Sequence, residues 1–499
     1  MKRLIYISII LASASVAAQQ KTDVLTRRLC HSSLETNVAT WRYGNPALMK
    51  DRFASSLTTI DAFWRYDSQQ EARLIEEGDG SNRAGIEAKA YVKKGSNDIW
   101  GEAGYDFGQR RNVMLNESSD YQTVYPYVTA DLVGGDLHEE NYQFSGGFAH
   151  TLKGGVTLGA FAGYNALLAY RTVDPRPRNL TSDLNFAAGM RWRWLGVALK
   201  AGKYKQTNVV KFYNETFQPT VYHATGLGTD YFRFRGSNTN TYYNGRNFGI
   251  QADAASALGK ITDAGIHVAY DYFGFDKIIS SLNELPMASV AEHRFNAAAH
   301  ILTRFAATNT FAVEAEITRT QRDGNENIFE AENNIYPEIA SLTMFRRSTT
   351  EGSLCLAYEH TLDNVRIQAR ATGGYASDRW RYTEPERLME GNAAIAGADA
   401  AVAWHANRCV LSAKAGASTR IRTSSKLTMP ETETSALNTS AERQYLLMAN
   451  NDCTYHAAAQ ADFAANHRFG IFCRLTWSGF RYAGSVNASN YAATIGLVF

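Results

Sequence analysis

The sequence predicts an all-β protein: a transmembrane, antiparallel, up-and-down β-barrel of about 18 strands, with short periplasmic turns and long extracellular loops. Three observations predict it. Apolar and polar residues alternate with a period of two along most of the chain, as half-apolar strands require. Connections alternate between short turns and long polar loops, the rhythm of a barrel that faces two compartments. The chain ends on a strand in which Tyr491, Ala493, Ile495, Leu497 and Phe499 share one face. An ordinary terminal strand of a soluble sheet is the plainer alternative for that segment alone.

At the other end, Met1, Lys2 and Arg3 precede an apolar run from Leu4 to Leu11 and the small-residue stretch Ala12 to Ala18. This is the layout of a secretory signal peptide, with cleavage expected after Ala18. The apolar run is shorter than the roughly 20 residues of a membrane-spanning helix. The chain therefore divides into a signal peptide (1–18), a periplasmic or lumen-inserted N-terminal segment (19–54) and the barrel (55–499).

Beyond the signal, no apolar stretch is long enough for a helical span and no linker-like shift of composition occurs, so the 499 residues are expected to build one architecture. A net charge of +2, from 51 basic and 49 acidic residues, gives no electrostatic case for nucleic acid. Abundant Tyr, Phe, Gly and Ala suit strands, aromatic girdles and tight turns. Cys30, Cys355, Cys409, Cys453 and Cys473 show no metal-like spacing, and their odd number leaves at least one outside any disulfide. Cys409 and Cys473 alternate with apolar neighbours, as lipid-facing side chains would.

From Gln19 to Arg52 the pattern is irregular, and Trp41, Arg42, Tyr43, Gly44, Asn45, Pro46 and Ala47 are its most distinctive run. Asn-Pro favours a turn, because Pro fixes φ and Asn adopts turn conformations readily. Ser56 to Tyr66 is the first candidate strand. The second sets Ile86, Ala88, Ala90 and Val92 against Glu87, Lys89, Tyr91 and Lys93, and Lys94 to Asn97 turns the chain. Strands follow through Ile99 to Phe107, Tyr142 to Leu152, Val156 to Tyr164, Leu184 to Trp194 and Val197 to Lys205. A Tyr-rich loop is expected from Phe212 to Arg246. Strands resume at Phe248 to Leu258, Ile266 to Phe273, Phe295 to Phe305 and Phe311 to Ile317. Ser353 to His360, Val365 to Tyr375, Ala394 to Trp404, Cys409 to Ala417, Tyr455 to Phe463, Phe469 to Trp477 and the terminal strand complete the series.

An even count puts both chain ends on the short-turn side. The aromatics sort accordingly: Trp194, Phe305, Phe311, Trp404, Phe463, Phe469 and Phe499 lie beside short turns or at the terminus. Tyr66, Tyr105, Tyr142, Tyr164, Tyr272, Tyr375, Tyr455 and Tyr491 lie beside long loops. Tyr455 and Phe463 are separated by roughly 26 Å along a strand, close to an outer-membrane apolar band once tilt is allowed for. A soluble propeller is the alternative, but it would repeat similar blades and loop lengths.

The same alternation assigns Arg191, Arg193, Arg294, Glu314, Glu316, Glu359, Arg366 and Arg370 to the lumen. A tight turn at Leu362–Asp363 would set Glu359 opposite Arg366 as a cross-strand ion pair. The mixed signs fit either a solvated channel wall or a network that braces the barrel. In the Tyr-rich loop, Tyr213, Tyr222, Tyr231, Phe232, Tyr242 and Tyr243 offer an external ligand surface or an inward constriction, or else pack the loops together. No enzyme is expected: His150, His267, His300, His360, His405 and His456 occur singly, and no nucleophile or zinc motif is present. Neither a cofactor nor a metal site is expected, and the acidic run Asp323, Asn325, Asn327 and Glu330, which lacks a Ca²⁺-loop pattern, is expected to be a solvated loop.

Signal peptide, Asn-Pro-Ala, paired strands and terminal aromatic strand together resemble uncharacterised outer-membrane barrel families of Bacteroidota-type bacteria. Trp41, Asn45 and Pro46 form a candidate hatch, since Asn45-Pro46-Ala47 is similar to the N-terminal hatch of fatty-acid-transporter-type channels. The resemblance implies an outer-membrane location, with lipid and the barrel assembly machinery as partners. Tyr491, Ile495, Leu497 and Phe499 would then close the barrel and signal its assembly. The function expected is a passive or gated channel for a small or hydrophobic solute; the alternatives are a closed scaffold whose loops bind a surface partner, and a membrane hydrolase. Oligomeric state is left open by these features.

Overall fold

The computed structural model describes residues 23–50, 52–236, 239–258, 261–306, 308–330, 336–430, 437–482 and 486–499. The expected signal peptide lies outside them. The N-terminal segment opens with α1 (Val24–His31) and α2 (Leu34–Asn37), followed by 3₁₀ turns over Thr40–Gly44 and Pro46–Met49. Asp23 caps α1 by accepting from Leu25 N–H at 3.1 Å, and Arg28 in the last turn complements its C-terminal end. At Asn45 the side chain accepts from Ala47 N–H at 3.0 Å while Pro46 starts the next turn, where a missing N–H costs nothing.

Eighteen strands follow in one antiparallel sheet. They are β1 (Leu57–Gln69), β2 (Gly80–Lys94), β3 (Asn97–Val113), β4 (Gly135–Thr151), β5 (Val156–Tyr170) and β6 (Arg176–Trp192). Next come β7 (Leu195–Lys211), β8 (Thr239–Leu258), β9 (Thr262–Ile279), β10 (Leu285–Ala306), β11 (Asn309–Phe329) and β12 (Glu338–Leu362). The last are β13 (Val365–Tyr382), β14 (Arg387–Ala406), β15 (Cys409–Thr428), β16 (Asp452–Ala464), β17 (Gly470–Tyr482) and β18 (Val486–Val498). Sequential neighbours pair, and β1 pairs with β18 from Thr59↔Val498 to Gln69↔Ala488, which closes the cylinder. Phe499 and Thr58 exchange backbone hydrogen bonds of 2.9 and 3.1 Å at the seam.

The outward face carries the predicted band. Trp194, Phe305, Trp404 and Phe463 are exposed on the short-turn side, and Tyr142, Tyr164, Tyr375, Tyr455 and Tyr491 on the other. Crossing a membrane takes about 9–11 residues of tilted strand, yet β12 has 25 and β10 has 22. The wall therefore continues past the tyrosine girdle on the long-loop side.

Four expectations are corrected. The Tyr-rich loop is shorter than Phe212 to Arg246, because Tyr242 and Tyr243 already lie on β8, opposite Ile278 and Lys277 of β9. Arg193 belongs to the tight turn between β6 and β7, at φ 52° with its guanidinium 5.0 Å from the Trp192 ring, and not to the lumen wall. The β12–β13 turn is centred on Asp363 and Asn364, so Glu359 faces Gln368 and meets Arg366 only diagonally, at 3.8 Å. Asp323, Asn325 and Asn327 are strand residues that pair with Arg346, Thr343 and Ser341.

Candidate functional site

Both ends of the lumen are occupied. At the short-turn end the N-terminal segment crosses the barrel and touches the wall around its circumference. Asn45 is fully buried, and its amide donates to the Met190 carbonyl at 3.4 Å. The Pro46-Ala47 backbone lies directly on Gly159 of β5 and the Asn45 side chain on Gly189 of β6, where a Cβ would collide with Ala47 and Asn45. Glycine permits this close approach. Trp41 inserts between His267 and His300, with ring centroids 4.7 and 5.7 Å away.

The lumen charges hold this segment. Glu314 accepts from Ala39 N–H at 2.6 Å, and Glu359 from Leu34 N–H at 2.9 Å. Arg366 donates to the Leu29 carbonyl at 2.6 Å. Arg304 pairs with Glu35, Asp462 with Arg28 at 3.5 Å, and buried Asp98 with Lys50 at 3.3 Å. Of the other predicted lumen residues, Glu316 accepts from Asn296 at 2.7 Å, Arg191 donates to Thr157 at 3.4 Å, and Arg370 lies opposite Asp399. Carboxylates that cap helix and turn N–H groups satisfy donors the segment cannot satisfy itself.

The long-loop end is closed by inward-folded chain. Residues 114–134, with α3 (Tyr121–Val124), enter the mouth beside a small three-stranded sheet at 129–130, 222–226 and 229–230. The helix α4 (Asn438–Ala449) lies against β14 and β15. Tyr121, Tyr125, Tyr127, Leu227, Phe234, Tyr243, Phe275, Phe345, Trp380 and Met448 pack there as one buried cluster.

Arginines pin the loop carbonyls. Arg171 is buried, pairs with Glu117 and Asp131, and donates to the Val113 carbonyl at 3.1 Å. Arg322 donates to the Tyr125 carbonyl at 2.8 Å, and Arg387 to the Leu227 carbonyl at 2.9 Å and to Asn438 at 2.7 Å. Glu76, in the β1–β2 loop, accepts from Tyr121 Oη at 3.0 Å and from Ser440 of α4. Burial pushes the Glu76 carboxyl above the usual carboxylate range and the Tyr121 phenol well above its ordinary value. The His223 imidazole, buried in the small sheet, is held well below its ordinary value by desolvation and then by nearby Lys277.

The predicted aromatic surface is divided by this arrangement. Tyr213 and Phe232 are 64% and 72% exposed. Tyr231 turns inward and stacks on Phe234 at 4.9 Å, Tyr222 lies on the small sheet, Tyr242 bonds Glu284, and Tyr243 is fully buried with its hydroxyl on the Tyr127 carbonyl at 2.8 Å. Sequence reasoning missed Tyr121, Tyr125, Tyr127, Arg171 and α4, which sit in stretches without periodicity.

Between the two closures lies solvated space. One chamber on the wall has a volume of about 530 Å³, with Tyr43, Pro46 and Met49 of the N-terminal segment at its base. A second cavity of about 380 Å³ separates α1 from the opposite wall, beside Arg366, Gln368 and Asp462. Among the described residues no three metal-ligating side chains converge, and the five cysteines are unbonded thiols.

A closed cylinder with a lipid-facing band, two aromatic girdles and an occluded polar lumen defines an outer-membrane β-barrel of the large, internally plugged class. The chain belongs to a family of unknown function (DUF6850), whose model matches residues 46–499. No curated protein matches it. Among solved structures it is similar to a mutant of the ferric enterobactin receptor from Pseudomonas aeruginosa, at 9% identity over 89% of this chain and 80% of that one, TM-score 0.37. The ferric preacinetobactin receptor from Acinetobacter baumannii gives 8% identity, 89% and 79% coverage, and a TM-score of 0.39. The translocator domain of the autotransporter NalP from Neisseria meningitidis gives 11% identity, 62% and 89% coverage, and a TM-score of 0.25.

Proposed function

We propose that the protein is an outer-membrane channel held closed at rest, exported by its signal peptide, which passes a small polar solute. The N-terminal segment is the periplasmic hatch and the inward-folded loops are the extracellular gate. One observation carries this reading: the hatch is seated largely by hydrogen bonds and ion pairs to a polar wall, as at Glu314, Glu359 and Arg366, with only small apolar patches beneath it. The wall groups that hold such a segment can hydrogen-bond to water once it leaves, which a continuous apolar core cannot do. The protein is a passage and not an enzyme in this reading.

Single-channel recording in a planar bilayer tests it. The full chain is expected to be silent, deletion of residues 19–52 to give openings, and Arg387→Ala with Arg443→Ala to prolong them by untying α4. Arg443 anchors that helix to the Ala72 carbonyl at 2.7 Å. Silence from every folded, heat-modifiable form would favour the second reading, a closed scaffold that presents exposed Tyr213 and Phe232 to a surface partner.

A further inference from the structure

The chamber above the hatch has a lining that the closure itself does not explain. Strand register sets its side chains in level rows. Trp100, Gly147 and Phe161 are successive partners across β3, β4 and β5. Further along the same row, Lys200, Gly249, Asp271 and Arg294 are partners across β7, β8, β9 and β10. One step toward the extracellular side, Asn185, Gly202 and Asn247 are partners across β6, β7 and β8.

The glycines in these rows let their neighbours lie flat on the wall. A Cβ on Gly147 would strike the Trp100 indole, one on Gly249 the Asp271 carboxylate, and one on Gly202 both amides, which hydrogen-bond each other across it at 2.9 Å. The result is a chamber with an aromatic half and a half of amides and charges. Its volume of about 530 Å³ falls within the roughly 300–1,000 Å³ of small-molecule sites.

Charge bookkeeping leaves one cation over. Asp271 is engaged by Lys200 at 3.3 Å and Glu292 by Arg322 at 2.6 Å. Among the described residues no hydrogen bond or ion pair engages the Arg294 guanidinium. An unengaged guanidinium in a solvated chamber suits a carboxylate, which it can bind in a fork.

We propose that this chamber binds a saccharide that carries a carboxylate, an acidic sugar of the uronate class. Sugar rings present an apolar C–H face and a rim of hydroxyls, which match the Trp100–Phe161 platform and the Asn185–Asn247 amides; the carboxylate meets Arg294. The proposal rests on the channel reading, since it names the solute class of that lumen.

Calorimetric titration of the refolded full chain, and of the hatch-weakened Asn45→Ala chain, with trigalacturonate and with neutral maltotriose tests it. Trigalacturonate should bind at least one of the two chains, about tenfold more tightly than maltotriose. Arg294→Gln should remove that preference without touching maltotriose, and Trp100→Ala should weaken both sugars. Because no described hydrogen bond or ion pair ties Arg294 into the wall, heat-modifiable migration of the Arg294→Gln chain should match the parent. No binding by either chain, equal binding of the two sugars, or an unaltered preference in Arg294→Gln overturns the proposal. Binding with no conductance in any form sinks the channel and spares the site, whereas conductance with no binding sinks the site alone.

Discussion

Gly189 and Glu76 show how single positions control the two closures. Gly189 faces the lumen with Asn45 resting on its Cα. Gly189→Leu fills that space without altering the lipid face or the strand ladder, so the hatch cannot seat. Openings should appear in a chain otherwise silent, with heat-modifiable migration unchanged; a Gly189→Leu chain as silent as the parent would sink the seating argument. Glu76 titrates the other closure. Its folded pKa lies above its unfolded value, because burial disfavours the carboxylate. The folded loop then binds more protons than the released one, and docking weakens as pH rises from the ordinary carboxylate range through the raised folded value. Protease cleavage of the β1–β2 loop and of α4 should therefore increase with pH across that window. Glu76→Gln keeps an acceptor for Tyr121 and Ser440 and should abolish the pH dependence; a dependence that survives the substitution would place the titrating group elsewhere.

At the scale of elements, the strands were legible and the closures were not. Alternation exposes a strand because its two faces see different solvents, so strand number, pairing order and girdles could be read. Glu314 and Glu359 accept from the backbone N–H groups of Ala39 and Leu34, and those groups belong to a segment without periodicity that alternation cannot reveal. Asn45-Pro46-Ala47 announced a turn; that it rests on Gly159 and Gly189 depends on contacts between residues far apart in the chain. The long-loop closure was hidden for a further reason. Strands running past the girdle absorbed Tyr242 and Tyr243, and the inserted loop 114–134 is held by Arg171, a residue just outside β5 with no local pattern. Arg171→Met should leave Glu117 and Asp131 buried without their cation, a change of about 3–5 kcal/mol. The loss should be confined to the long-loop closure: residues 114–134 become protease-sensitive while the barrel keeps its folded migration. Equal protection in both chains would show that the tyrosine cluster alone holds the loop.

For the whole molecule the decisive junction is the seam between β1 and β18, because a barrel has no edge only when that pair forms. Phe499 contributes twice. Its backbone extends the ladder to Thr58, and its ring lies 5.4 Å from that of Phe469 in the girdle. Phe499→Ala keeps both backbone hydrogen bonds and removes only the ring. If the ring serves chiefly to pack, the refolded variant loses stability and its yield in cells falls in proportion. If the terminal strand is recognised during assembly, the refolded variant should melt nearly as the parent does, within about 1 kcal/mol, while the assembled fraction in cells falls several-fold. The second outcome is expected, because a ring at the membrane rim buries little surface that the neighbouring Phe469 does not already cover. Parallel losses in both measurements would reduce Phe499 to a packing residue and leave assembly to the alternating stripe of Tyr491, Ile495 and Leu497.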